Sequence, residues 1–179
     1  MFDTLILGGT IVDGTGDARY KADIGITNGK ITAIGSLSES QSKCTIDASH
    51  HVVSPGFIDM HTHSDVTLID DPCGESKVYQ GVTTEVTGNC SYSPFPSGIG
   101  GPSALKESLG QTLVSKEDWK WNSLDEWADD LETEGISLNV APQVGNAALR
   151  VAAGAKQDGE ATKDQLEIMK KLAVESVEQ

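Results

Sequence analysis

The chain has 179 residues, of which 37% are hydrophobic and 5% aromatic, and it carries a formal net charge of −14. That length can bury a substantial core in one or two domains, and the acidic excess argues against nucleic acid or an anionic membrane surface as partner. No apolar run approaches the ~20 residues that span a bilayer. Met1-Phe2-Asp3-Thr4 has neither a basic n-region nor a cleavable apolar segment, so secretion is not expected, and three cysteines without CxxC spacing fit a reducing, cytoplasmic setting.

Residues 1–54 read as a β region. Leu5-Ile6-Leu7 is a short apolar run, Gly8-Gly9 is expected to turn the chain, and Thr10-Ile11-Val12 follows. Residues 22–27 and 30–35 alternate in polarity around Asn28-Gly29, a hairpin signal because both central positions of a type I′ turn need positive φ. Short strands are expected at 44–47 and 51–53. Gly14-Thr15-Gly16 lacks the third glycine, the Lys-Ser/Thr pair and the following helix of a phosphate loop, and reads as a turn.

After Pro55-Gly56 the pattern becomes alternating strands and helices. A buried strand over 56–62 is followed by a helix near 74–80 and a β-branched strand over 82–87. Residues 91–102, rich in Pro and Gly, read as a loop, and a short helix follows over 103–109. Ser123-Leu124-Asp125-Glu126 is a capping box opening a helix whose stripe (Leu124, Trp127, Ala128, Leu131) ends at Gly135. A strand over 137–141, a helix over 146–153 and a second capping box, Thr162 to Gln165, complete the pattern. The last helix meets Glu175 and Glu178 rather than a cation or a glycine, so the chain is expected to stop within an element.

Alternating strands and helices imply βαβ units and a parallel sheet, an α/β fold. Only about three units follow residue 55, whereas an eight-unit barrel needs about 250 residues. An N-terminal portion of a barrel is therefore expected.

The chemistry is concentrated at two strand ends. In Pro55-Gly56-Phe57-Ile58-Asp59-Met60-His61-Thr62-His63-Ser64-Asp65, strand alternation puts Asp59, His61 and His63 on one face. Two imidazoles two residues apart can reach one metal ion, with Asp59 and Asp65 as candidates to accept their other ring N–H groups. The alternative is a pair of ordinary core or surface histidines. Cys90, after the next strand in Thr87-Gly88-Asn89-Cys90, is either a small buried hydrophobe or a thiolate ligand beside that pair. Cys44 and Cys73 read as structural, and His50 and His51 as part of a solvated connection.

These motifs resemble a known family. Gly8-Gly9-Thr10, Val12-Asp13-Gly14, Asn28-Gly29-Lys30-Ile31 and the His61-Thr62-His63 strand resemble the amidohydrolase superfamily. Gln80-Gly81-Val82-Thr83-Thr84, Gly88-Asn89-Cys90 and Tyr92-Ser93-Pro94 resemble its D-aminoacylase (N-acyl-D-amino-acid deacylase) branch. The resemblance runs from residue 2 to the end of the chain. It implies a small β-sandwich domain over 1–54 and, over 55–179, the first βα units of a metal-dependent (β/α)₈ (TIM) barrel, incomplete in this chain. It implies His61 and His63 as ligands of one metal position and Cys90 as a ligand of the other, with one or two zinc ions per complete site. The implied reaction is hydrolysis of the amide of an N-acyl-D-amino acid by a metal-activated water. The family's remaining ligands, two histidines and an aspartate that handles the proton, lie on later strands, so the 179 residues alone are expected to be inactive. Unpaired barrel edges are expected to favour self-association. Ser91, where the family usually has glycine, and Asn146, where many members have histidine, depart from its pattern. Two alternatives stand beside this reading. One is a cyclic-amide hydrolase of the dihydropyrimidinase or dihydroorotase kind, in which a carboxylated lysine often bridges the metals; the other is a non-catalytic scaffold.

Overall fold

Strand β1 (Phe2–Ile11) runs continuously through Gly8-Gly9 in the computed structural model, which describes residues 1–179. The expected turn is instead a bulge, where pairing with the antiparallel strand β2 (Tyr20–Thr27) shifts register between Ile6 and Gly9. Asn28 and Gly29, at φ of 51° and 70°, turn β2 into β3 (Lys30–Gly35) with the dihedrals that a type I′ hairpin demands. Strands β4 (Ser42–Asp47) and β5 (Val52–Val53) then lie parallel to the first and second parts of β1. With β2 pairing along both parts, β1 is held as one strand. Gly14-Thr15-Gly16 is an exposed turn in which Asp13 accepts from the backbone N–H and hydroxyl of Thr15.

The chain divides into two compact units, Met1–Pro55 and Gly56–Gln179. Within the first, the strands form one five-stranded sheet, ordered β3-β2-β1-β4 with β5 also on β1. The residues expected to make a sandwich thus supply a single layer.

The second unit holds three parallel strands in sequential order: β6 (Phe57–Asp59), β7 (Val82–Thr87) and β8 (Asn139–Pro142). Helices α1 (Thr67–Asp70) and α2 (Glu75–Val78) lie between β6 and β7. Helices α3 (Gly101–Leu109) and α4 (Leu124–Glu134) precede β8, and α5 (Asn146–Ala152) and α6 (Lys163–Glu178) follow it. Helix α1 falls in the stretch after His63 that reads as a loop.

The helix ends follow their capping chemistry. Ser123 Oγ accepts from the Glu126 N–H, and Gly135 closes α4 in the left-handed region. The Glu126 carboxylate reaches Asn122 N rather than Ser123, so only half of that capping box forms. At α6 both reciprocal bonds between Thr162 and Gln165 are made. No helix is long and apolar enough to cross a membrane.

The core of this unit gathers Val66, Leu105, Leu109, Trp119, Trp121 and Trp127 around Phe95. Phe95 belongs to the stretch read as a surface loop, yet residues 93–97 are all buried and Ser93 Oγ bonds the Phe95 carbonyl and the Gly145 N–H. The β6 strand corrects a second expectation. It ends at Asp59, and Phe57, Ile58 and Met60 are 61%, 59% and 66% exposed, because β6 is an edge with a neighbour on one side only.

Candidate metal centre

All three strands point their C-terminal ends the same way, and the two segments of interest follow two adjacent ends. After Asp59 the chain leaves β6 but stays beside β7, with the Thr62 N–H directed at the Val86 carbonyl. After Thr87, Gly88 and then Cys90 and Ser91 take left-handed conformations, at φ of 78°, 54° and 76°. This tight turn swings Cys90 back towards the histidines. His61 Nε2 and Cys90 Sγ lie 3.1 Å apart, and one ligand atom from each of His61, His63 and Cys90 falls within 4.8 Å of the others. The two imidazoles meet edge to face with centroids 5.6 Å apart, and Tyr92 packs edge-on to His63 at 6.2 Å. His61 and Cys90 are exposed, His63 is half-buried, and His63 Nδ1 is buried without a hydrogen-bond partner.

The donor set can be tested against zinc. Bond lengths near 2.1 Å to nitrogen and 2.3 Å to sulfur give an N–S separation of about 3.6 Å in a tetrahedral site, and no more than about 4.4 Å across any single ion. The His61–Cys90 contact needs only a small opening. Ligand atoms as far as 4.8 Å apart must close by about 1 Å for one tetrahedral ion, or be shared between neighbouring ions. Two imidazoles and a thiolate are borderline-soft donors that suit zinc better than magnesium or calcium.

The two aspartates do something other than orient imidazoles. Asp59 Oδ1 accepts the backbone N–H of His61 at 3.1 Å, and Oδ2 pairs with Lys77 Nζ at 2.5 Å. Lys77 and that backbone bond hold the Asp59 carboxyl below the ordinary carboxylate range, and Asp59 in turn leads the causes that raise Lys77. Asp65 is 1% exposed, and its Oδ1 accepts from Gly88 N at 2.7 Å while its own carbonyl accepts from Trp127 Nε1 at 2.7 Å. Burial pushes the Asp65 carboxyl up to about 6, against the opposing pull of its backbone bonds. The Thr87 hydroxyl is close enough to favour the charged form. Even so, neither Asp65 Oδ2 nor Thr87 Oγ1 has a hydrogen-bond partner. The role expected for both aspartates rested on their flanking the histidine pair in sequence. The strand stops at Asp59, and a short carboxylate then bonds the nearest backbone instead.

Two charged residues next to this centre escaped the sequence reading. Glu85, at the middle of β7, is fully buried; it accepts from Ser64 Oγ and lies 3.2 Å from Lys77 Nζ, an ion pair without hydrogen-bond geometry. The available signal was a lone acid in the β-branched run Val82-Thr83-Thr84-Glu85-Val86-Thr87, where a parallel strand leaves no solvent for it. Cys44 and Cys73 are exposed and fill no core position. His50 and His51 are exposed in the connection before β5. Asn146 is exposed at the first turn of α5.

A model of the amidohydrolase family matches residues 44–179, which include both strand ends. The chain belongs to the amidohydrolase family. Among amidohydrolase relatives, a D-aminoacylase from Alcaligenes xylosoxydans xylosoxydans is 35% identical over 176 residues, 98% of this chain and 36% of that protein. An N-acyl-D-glutamate deacylase from the same organism is 38% identical over 152 residues, 84% of this chain and 30% of its own length. The crystal structure of N-acyl-D-glutamate deacylase from Bordetella bronchiseptica, complexed with zinc and a phosphonate inhibitor, superposes with a TM-score of 0.87 at 34% identity, covering 99% of this chain and 36% of that one. An L-hydantoinase from Arthrobacter aurescens, at 20% identity and a TM-score of 0.52, shares the fold. This chain thus spans about a third of the length of the relatives it matches.

Proposed function

We propose that this chain carries the opening part of the metal site of an N-acyl-D-amino-acid deacylase, with His61, His63 and Cys90 as zinc ligands. The observation that carries the reading is the convergence of those three donors beyond two adjacent parallel strand ends. The mixed α/β fold and the family support it, because hydrolytic sites of barrels are built at that end of the sheet. Zinc held there supplies a Lewis acid for the amide carbonyl and makes water a stronger nucleophile at neutral pH. The chain's own contribution is placement. Asp65 fixes the Cys90 turn through Gly88, Asp59 fixes the backbone at His61, and the Tyr92 ring limits the swing of His63.

The deacylase reading is preferred over a cyclic-amide hydrolase because a cysteine in a Gly-Asn-Cys turn occupies the second strand end, and because a D-aminoacylase and an N-acyl-D-glutamate deacylase are among the relatives similar over most of the chain. With three donors in the cluster, the 179 residues are expected to show no turnover of their own.

Metal analysis of the purified chain after dialysis tests the ligand set. One zinc or more per chain is expected, lost in His61→Ala and Cys90→Ala. A chain that retains no zinc, or retains it in both variants, overturns the assignment. Release of D-methionine or D-glutamate from the N-acetyl compounds by the isolated chain would overturn the expected inactivity.

A further inference from the structure

We infer that Lys77 is a positioning residue for the two histidines: it clamps the His61-Thr62-His63 segment from both sides, through Asp59 before it and through Glu85 and Ser64 after it. The inference rests on the reading of those histidines as metal ligands. Asp59 stands two residues before His61, bonds the His61 N–H with one oxygen and gives the other to Lys77 Nζ. Ser64 directly follows His63, accepts from the Thr62 hydroxyl at 3.1 Å and donates to Glu85 Oε2. The other Glu85 oxygen faces the same Lys77 Nζ at 3.2 Å. Both flanks of the histidine segment therefore end on one ammonium group, although Lys77 itself lies on α2, outside the strands.

The placement makes this more than a surface ion pair. Glu85 is fully buried, and Lys77 and Asp59 are about a quarter exposed, so the charges are poorly screened. Taking away one partner of a buried ion pair is costly, because it leaves the other charge desolvated and unpaired. Lys77, Glu85, Ser64 and His63 line one cleft of about 340 Å³, so the clamp and the ligand share a wall. Beyond Asp59 the segment has no strand ladder except a long contact from Thr62 to Val86, at 3.4 Å. Without the clamp little else would hold the two imidazoles in register.

The test compares the 179-residue chain with Lys77→Met and with the double variant Lys77→Met/Glu85→Gln. The single variant leaves Glu85 buried without a partner and can unfold for that reason. The double variant removes both charges and keeps an oxygen for Ser64. Its far-UV circular dichroism and apo melting temperature are expected to match the parent within a few degrees. Its zinc affinity, measured by competition with a chromophoric chelator, is expected to fall about ten- to a hundredfold, the range for partners behind metal ligands. Cobalt substituted for zinc is expected to show weakened visible bands, a signature that loss of stability alone does not move. Unchanged zinc affinity and an unchanged cobalt spectrum in the double variant overturn the clamp. Absence of zinc binding in the parent chain overturns the metal reading instead.

Discussion

Asp65 accepts the backbone N–H of Gly88 at 2.7 Å, and that bond joins the segment after the histidines to the turn that presents Cys90. Asp65 is buried, its second oxygen has no partner, and its carboxyl is displaced from the ordinary 3.8 to about 6, chiefly by burial. A group with a raised folded value binds its proton more tightly when folded. Between about pH 4 and pH 6 the unfolded chain has lost that proton and the folded chain keeps it, so stability falls as pH rises and then levels off. The accumulated penalty at neutral pH is on the order of 3 kcal/mol. Asp65→Asn retains an acceptor for Gly88 and removes the titration. In the metal-free chain it is expected to be the more stable protein at pH 7, with an advantage that shrinks towards pH 4. Urea unfolding of both proteins across that range checks this, and an advantage that stays constant with pH would contradict it.

Gly88 sits at φ of 78°, and a Cβ there would lie 2.1 Å from the Gln143 carbonyl oxygen. The left-handed backbone alone costs about 1–2 kcal/mol for an alanine, and the clash is with backbone that cannot rotate away. Gly88→Ala is expected to destabilise by at least about 2 kcal/mol and to weaken zinc binding by displacing Cys90. Denaturant midpoints and chelator competition measure the two effects. A neutral outcome in both would show that the turn is not fixed as described.

Ser91, at φ of 76°, occupies a left-handed position without glycine's freedom. Its side chain is exposed, so little packing is lost on removal. Ser91→Gly is expected to stabilise the chain by about 1 kcal/mol, since a residue forced into that region carries about that strain. A lower denaturant midpoint in Ser91→Gly would mean that the serine hydroxyl contributes more than the strain removes.

Strand β6 is an open edge carrying exposed Phe57 and Ile58, and Met60 just beyond it is exposed too. Such an edge pairs with other edges unless a charge blocks it, while the net charge of −14 opposes association. The chain is expected to self-associate with a strength that rises with salt as this repulsion is screened, and Ile58→Lys is expected to leave it monomeric. Sedimentation velocity at several concentrations decides between association and a monomer insensitive to both.

Local signals in the sequence specified local structure. Asn28-Gly29 defined a hairpin, Thr162 and Gln165 a complete helix cap, and Ser123 with Gly135 the two ends of α4, because each of these depends on bonds within a few residues. The parallel order of β6, β7 and β8 was likewise legible in the alternation of strands and helices. Features that depended on distant neighbours were not. Gly8-Gly9 read as a turn until β2, β4 and β5 were seen to hold both halves of β1 in one strand. The stretch around Phe95 read as surface because its Pro and Gly exclude regular structure, yet that stretch packs under Trp127.

The same division runs through the candidate centre. The residue types and their positions after two strand ends, His61, His63 and Cys90, were set by the sequence alone. Which groups stand behind them was decided by the tertiary structure. Asp65 turned to Gly88, 23 residues away, and Lys77 bridged Asp59 and Glu85 across two strands. A carboxylate takes whichever donor the fold brings within reach, and no spacing in the chain records that choice.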